Sequence, residues 1–229
     1  MSETGQGLAI FDLDYTLTTR GTWGRFVWRL VRFRPHIWLP LLISAGWTQW
    51  RYKQGKIPRI AVKMAMMRWS MVGKPKTVIQ AHAKAFAENE VKTGLRPGAI
   101  AALAAHRENG DHMMIASAAV DIVVAEIAKN LDIDHYVATD MAWTEEGVLS
   151  AEFASKNCYG AEKLRRIEAY LAVNPFLKQK HTFITIYSDS YSDLDSLNYA
   201  DVGVAVNPDK RLRAAAISGL FRLEDWRSA

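Results

Sequence analysis

The chain has 229 residues, 49% of them hydrophobic and 23% charged. That length allows one sizeable domain, or one domain carrying a smaller insertion. With 14 Gly and 7 Pro, the composition excludes a disordered tail, a collagen-like repeat and a disulfide-stapled miniprotein. The formal charge of +5 comes from 29 Lys and Arg against 24 Asp and Glu, and its distribution says more than its size.

The first strand is expected at LAIF, residues 8 to 11. Directly after it the character of the chain changes. No acidic residue lies between Asp14 and Glu88, whereas 14 Lys and Arg do, and so do six of the eight Trp. Such a jump in charge and aromatic content marks a separate unit inserted early in the chain, roughly residues 18 to 92. It reads as several helices separated by Pro35, Gly55 to Pro58 and Gly73 to Pro75. Its longest uncharged run, Pro35 to Trp50, holds Pro40 and Gly46 and falls short of the ~20 apolar residues of a membrane span.

Beyond the insert, short apolar runs alternate with helical stretches. Strands are expected at HMMIAS (112 to 117), HYVA (135 to 138), TFITIY (182 to 187) and VGVAV (202 to 206). Helices are expected over Pro97 to Asn109, Ala119 to Asn130 and Gly160 to Ala172. MAWTEEGVLSAEF, residues 141 to 153, reads as an added hairpin turning at Glu145 to Gly147. The rhythm predicts an α/β fold, a doubly wound Rossmann-like parallel sheet with a helical cap inserted after the first strand. The division is residues 1–17 and 93–229 for the core and 18–92 for the cap.

The first strand runs into FDLDYTLT, where Asp12 and Asp14 point the same way at the open end of a parallel sheet. Two carboxylates there are costly without a use, although a plain capping role for Asp14 and Thr16 is the ordinary alternative. YSDSYSD follows a later strand and places Asp189 and Asp193 on the loop leaving it. Adjacent strand ends would gather Asp12, Asp189 and Asp193 into an oxygen-only cluster, which selects a hard divalent ion such as Mg2+. The six His show no metal-ligand spacing. Ser117 closes the second strand, where its hydroxyl and the following amides suit a phosphate, or where it simply caps a helix. Lys163 stands in the first turn of a helix, a place that disfavours a cation lacking an anionic partner. A solvated surface Lys is the plainer reading, and Arg165 or Arg166 serves the argument equally well.

FDLDYTLT, Ser117 in IASAA, Lys163 in CYGAEK and YSDSYSD together resemble the four ordered motifs of the haloacid dehalogenase (HAD) superfamily, in its phosphoserine-phosphatase-like branch. The resemblance implies an Mg2+-dependent phosphomonoester hydrolase. Asp12 would be the nucleophile and Asp14 the acid and base. Ser117 and Lys163 would bind phosphate, and Asp12, Asp189 and the Asp14 carbonyl would hold the metal. Asp193 would orient Lys163 or a metal-bound water, and Thr16 would support the nucleophile. Tyr15 and Ser188 stand where the family often has Gly, without removing a catalytic oxygen. Ala118 and Ala119 stand where phosphoserine phosphatases usually carry Gly, and the cap's opening TTRGTW lacks an acid to pair with a substrate ammonium. Both argue against phosphoserine itself as substrate.

The basic, Trp-rich insert is similar in layout to that of phosphatidylglycerophosphatase C enzymes. It predicts a lipid phosphate as substrate and an anionic membrane surface as partner. The competing readings are a soluble-metabolite phosphatase whose cap aromatics form a structural core, and a catalytically silent phosphate-binding module. Nucleic acid ranks last, for want of any recognised motif. One Cys and no visible leader in MSETGQGLAI predict a cytoplasmic protein, at most peripheral on the inner membrane face. Cys158 itself reads as an inert loop thiol.

Overall fold

The computed structural model describes residues 6–180 and 182–228; the leader reading rests partly on residues 1–5, outside that range. Seventeen regular elements are named here: β1 (Leu8–Phe11), α1 (Thr22–Val31), α2 (Pro35–Lys53), α3 (Ile60–Ser70), α4 (Lys76–Thr93), α5 (Pro97–Glu108), β2 (His112–Val120), α6 (Asp121–Asn130), β3 (His135–Thr139), β4 (Met141–Trp143), β5 (Leu149–Phe153), α7 (Ala161–Val173), β6 (Ile184–Ser188), α8 (Leu194–Tyr199), β7 (Val202–Val206), α9 (Lys210–Ile217) and β8 (Arg222–Glu224). Six strands form a parallel sheet in the order β3-β2-β1-β6-β7-β8. The three-residue β8 adds a strand beyond those expected, because RLE is too short and too polar to stand out in the sequence.

The period-two geometry of a strand sends alternate side chains of β1 to opposite faces. Ala9 and Phe11 join one apolar layer with β2, α6 and the insert, while Leu8 and Ile10 join another with α7, β6 and α9. Burial on both faces explains why these strands read as unbroken apolar runs. Strand order reverses at β1, whose two neighbours are β2 and β6, with Phe11 level with both Ile115 and Tyr187. The carboxyl ends of β1 and β6 therefore open side by side, where a doubly wound sheet leaves its ligand crevice.

The insert leaves and rejoins the core through two strands of chain lying side by side. Thr18 bridges to Leu95, Thr19 N donates to the Gly94 carbonyl at 2.8 Å, and Arg96 N donates to that of Leu17 at 2.9 Å. Helices α1 to α4 fill the space between. The β4–β5 hairpin ties into this unit, since Gly73 N donates to the Leu149 carbonyl at 2.9 Å and Leu149 N returns a bond to that of Lys74 at 3.0 Å. Among the described residues, no helix is long and apolar enough to cross a membrane.

Helix α6 starts at Asp121 rather than Ala119. Ser117 consequently does not stand at the head of a helix but within the extended end of β2. Between Ala116 and Val120 the pairing of β2 with β3 slips. Such a bulge re-aims side chains beside a site, and here it turns Ser117 and Ala118 into the crevice wall.

Candidate active site

A cavity of about 180 Å³ opens over the ends of β1 and β6, lined by Asp12, Asp14, Ser117, Lys163, Asp189 and Asp193 among others. These are the side chains that the sequence singled out, carried there from four separate stretches of chain.

Asp12 leaves β1 buried. Its Oδ1 accepts a bond from Lys163 Nζ at 2.8 Å, and its Oδ2 faces Thr16 Oγ1 at 3.2 Å. Lys163, 4% exposed in the first turn of α7, also donates to Asp193 Oδ2 at 2.6 Å. Burial opposes the charge on Lys163, but the two carboxylates outweigh burial and hold the ammonium above its ordinary value. Asp193 is fixed in turn by Ser188 Oγ, which donates to its Oδ2 at 2.7 Å, while its Oδ1 is buried without a partner. Of the two alternatives open for Asp193, the geometry places it against Lys163.

The loop after β1 makes one non-helical turn in which Tyr15 takes φ 65°. That left-handed conformation is the reason Gly suits this position, and Tyr15 occupies it with strain. The turn points Asp14 toward the insert, where its Oδ1 accepts from Thr22 N at 2.8 Å and Thr22 Oγ1 at 2.7 Å. Burial raises the Asp14 carboxyl above its usual range despite those bonds.

Thr16 is the hub between the two strand ends. Its Oγ1 accepts from Asp189 N at 3.0 Å and lies 3.2 Å from Asp12 Oδ2 and 3.3 Å from Asp189 Oδ1. The two carboxylates thus flank one hydroxyl. Burial drives Asp12 up to about 7, with Asp193 and Asp189 adding to the rise and Lys163 resisting it. Burial and Asp193 bring Asp189 to about 6. Three carboxylates against one buried ammonium leave an excess of negative charge that a divalent cation would balance. Among the described residues, no trio of His, Cys, Asp or Glu side chains forms a metal cage. Two carboxylates with a backbone carbonyl and water suit Mg2+, which keeps much of its hydration.

The sign of the pH dependence follows. Carboxyls whose pKa is raised on folding bind protons more tightly folded than unfolded, so their contribution is full below about pH 4 and lost as pH rises through about 6 to 7. The metal-free protein should therefore lose melting temperature between pH 5 and pH 8, and Mg2+ should flatten that fall. Superimposable profiles with and without Mg2+ would contradict the site.

Residues not singled out complete the wall. Arg59 of the insert and Tyr159 line the cavity, with the guanidinium 4.3 Å from the ring centroid. Lys63 of α3 donates to Asn157 Oδ1 at 2.7 Å and to the Ala118 carbonyl. Burial lowers its ammonium to about 8 against the pull of Asp14. Both cations were visible in the sequence only as members of a set of 14, with nothing to separate them from the rest. Cys158 is buried and burial pushes its thiol up to about 11, in keeping with an inert thiol.

A family model for haloacid dehalogenase-like hydrolases matches residues 9–198. Protein CicA of Caulobacter vibrioides is 28% identical over 198 residues, covering 85% of this chain and 83% of its own. Among solved structures, a protein of unknown function from Bordetella pertussis Tohama I superposes with a TM-score of 0.85 at 22% identity, covering 97% of this chain and 100% of that one. A phosphoserine phosphatase captured as a phospho-aspartyl intermediate analogue superposes at 0.60 and 14% identity, over 97% and 94% of the two chains.

Proposed function

Since the chain belongs to the haloacid dehalogenase-like hydrolases, we propose that it is an Mg2+-dependent phosphomonoester hydrolase working through Asp12, with a membrane lipid phosphate such as phosphatidylglycerophosphate as substrate. The observation that supports the chemistry is the meeting of Asp12 with Lys163, Thr16 and Asp189 in one crevice. Residues 1–17 and 93–229 form the catalytic core in this reading, and 18–92 the cap.

An ionised carboxylate at Asp12 attacks phosphorus, forming an acyl phosphate as the ester P–O bond breaks. Asp14, whose carboxyl burial raises above its usual range, gives a proton to the departing alkoxide. It then takes a proton from the water that attacks the phosphoryl group, restoring Asp12 and releasing phosphate. Lys163 and Ser117 hold phosphoryl oxygens, and Asp193 keeps Lys163 aimed. Asp12, Asp189 and the Asp14 carbonyl would hold Mg2+, which when bound supplies charge neutralisation at the phosphoryl group.

The lipid half of the proposal is supported by α2. Only Leu41 of its 19 residues is buried, while Leu39, Leu42, Ile43, Trp47 and Trp50 are all 49% exposed or more. A helix apolar all round is normally interior; this one stands outside, bordered by Arg32, Arg34, Arg51 and Lys53. The aromatic-core alternative accounts for Trp23 and Trp38, which pack on the interior, and leaves Trp28, Trp47, Trp50 and Trp69 about half exposed.

Phosphate release across lipid phosphates in vesicles, sugar phosphates, phosphoamino acids and nucleotides tests the substrate. The proposal expects kcat/KM on a vesicle-borne lipid phosphate to exceed that on every soluble ester by about tenfold or more. Turnover of soluble esters alone would contradict it.

A further inference from the structure

Away from the crevice, the outer side of the cap carries an open cavity of about 300 Å³ lined by Gly24, Arg25, Trp28, Arg29, Arg32 and Phe86. Arg25, Arg29 and Arg32 recur at spacings of four and three, which puts all three on one side of α1. Like charges so placed repel one another along a helix. Glu90 of α4 accepts from Arg25 at 2.5 Å and so offsets one of them. Arg29 Nε is closed off from solvent with no hydrogen-bond partner. The His82 ring is held below its ordinary value by burial and then by Arg29, Lys74, Arg34 and Arg32, so no acidic group among the described residues offsets these cations around it. The cluster is thus a positive field with a shaped recess, and nothing in the catalytic scheme uses it.

We infer that this recess binds the headgroup phosphate of an anionic lipid and anchors the cap to the membrane at a site separate from the catalytic crevice. The inference rests on the reading of the protein as an enzyme of lipid phosphates. Arginine forks match phosphate oxygens bidentately. The walls add aromatic surface: Trp28 is 51% exposed, and the Arg25 guanidinium lies 5.6 Å from the Phe86 ring centroid. Trp28 also joins the recess to α2, its ring 5.2 Å from that of Trp38, which packs on the interior. A headgroup held by α1 would set the exposed Leu39, Leu42, Ile43 and Trp47 against the acyl boundary, as interfacial helices lie. A second copy docking through this same face is a poor occupant, because it brings the same positive surface.

The test is sedimentation of the full chain with vesicles of phosphatidylcholine alone or with roughly one third phosphatidylglycerol. Wild type should bind the anionic vesicles selectively. The double variant Arg29→Gln/Arg32→Gln should weaken that binding by on the order of tenfold, against about threefold or less for the charge-matched pair Arg68→Gln/Lys84→Gln elsewhere on the cap. Arg29→Lys should restore part of the loss. Hydrolysis of p-nitrophenyl phosphate in solution should stay within about twofold in all of them. A wild type that binds vesicles but hydrolyses nothing would sink the catalytic reading and leave the anchor standing. Equal losses in the two double variants would reduce the recess to diffuse attraction and overturn the inference. So would inorganic phosphate raising the melting temperature through Arg29 without any vesicle binding, or a concentration-dependent dimer abolished by the same variants. If Arg29→Gln fails to fold, Arg32→Gln at the exposed end of α1 makes the same comparison.

Discussion

Replacing Asp12 by Asn should abolish Mg2+-dependent phosphate release, with kcat falling by at least about 10⁴-fold. The amide keeps the shape of the carboxyl and can still face Thr16, and Lys163 keeps its 2.6 Å partner Asp193. What disappears is the nucleophile and one of two carboxylates available to a metal. Folding should not suffer. Burial already disfavours the Asp12 carboxylate, so the neutral amide should leave the metal-free melting temperature unchanged or raise it, and should blunt its fall with pH. A residual rate only about tenfold below wild type would mean that Asp12 merely helps to position the substrate.

Asp14→Asn separates the two jobs given to the crevice. The Asn oxygen can accept the same bonds from Thr22 N and Oγ1 that Asp14 Oδ1 accepts, so the loop should keep its form. The proton for the leaving group is lost, which costs about 10²- to 10⁴-fold on an alkyl phosphate. An aryl phosphate such as p-nitrophenyl phosphate expels a stable anion without that proton. Its first-turnover burst should survive in the variant while steady turnover slows for want of a base. In the wild type, cleavage of the alkyl ester should fall as pH rises through the raised pKa of Asp14, and the variant should lose that limb. Equal loss of the burst on both esters would contradict the assignment of Asp14 as acid.

Much of this site was legible because its residues follow strands that announce themselves. LAIF and the run ending at Ser188 are short apolar segments with carboxylates directly after them, and a parallel sheet with β1 at its reversal point brings their ends together. Lys163 was legible only through the ordered motifs, since its place in the first turn of a helix served Arg165 or Arg166 equally well and a solvated surface Lys was the plainer reading. The structure gives it Asp12 and Asp193 as anionic partners. The bulge at Ser117 was hidden, since Ala118 and Ala119 are compatible with either a helix start or a strand end, and tertiary pairing with β3 decides between them. Thr22 could not be tied to Asp14 from spacing alone, because that bond depends on how α1 docks. Lys63 and Arg59 were equally opaque. Their chemistry is that of every other cation in the insert, and only the packing of α3 over the crevice distinguishes them. The exposure of α2 also depended on packing, as its composition alone suited an interior helix just as well.

Identifying the phosphorylated atom is the most direct measurement. Rapid quenching of the protein in acid during turnover of a labelled phosphomonoester with Mg2+ should trap a phosphoryl adduct that is labile to hydroxylamine. Mass spectrometry should place it on Asp12, and Asp12→Asn should carry none. An adduct on another side chain, or turnover by direct attack of water with no adduct at any time point, would contradict the account.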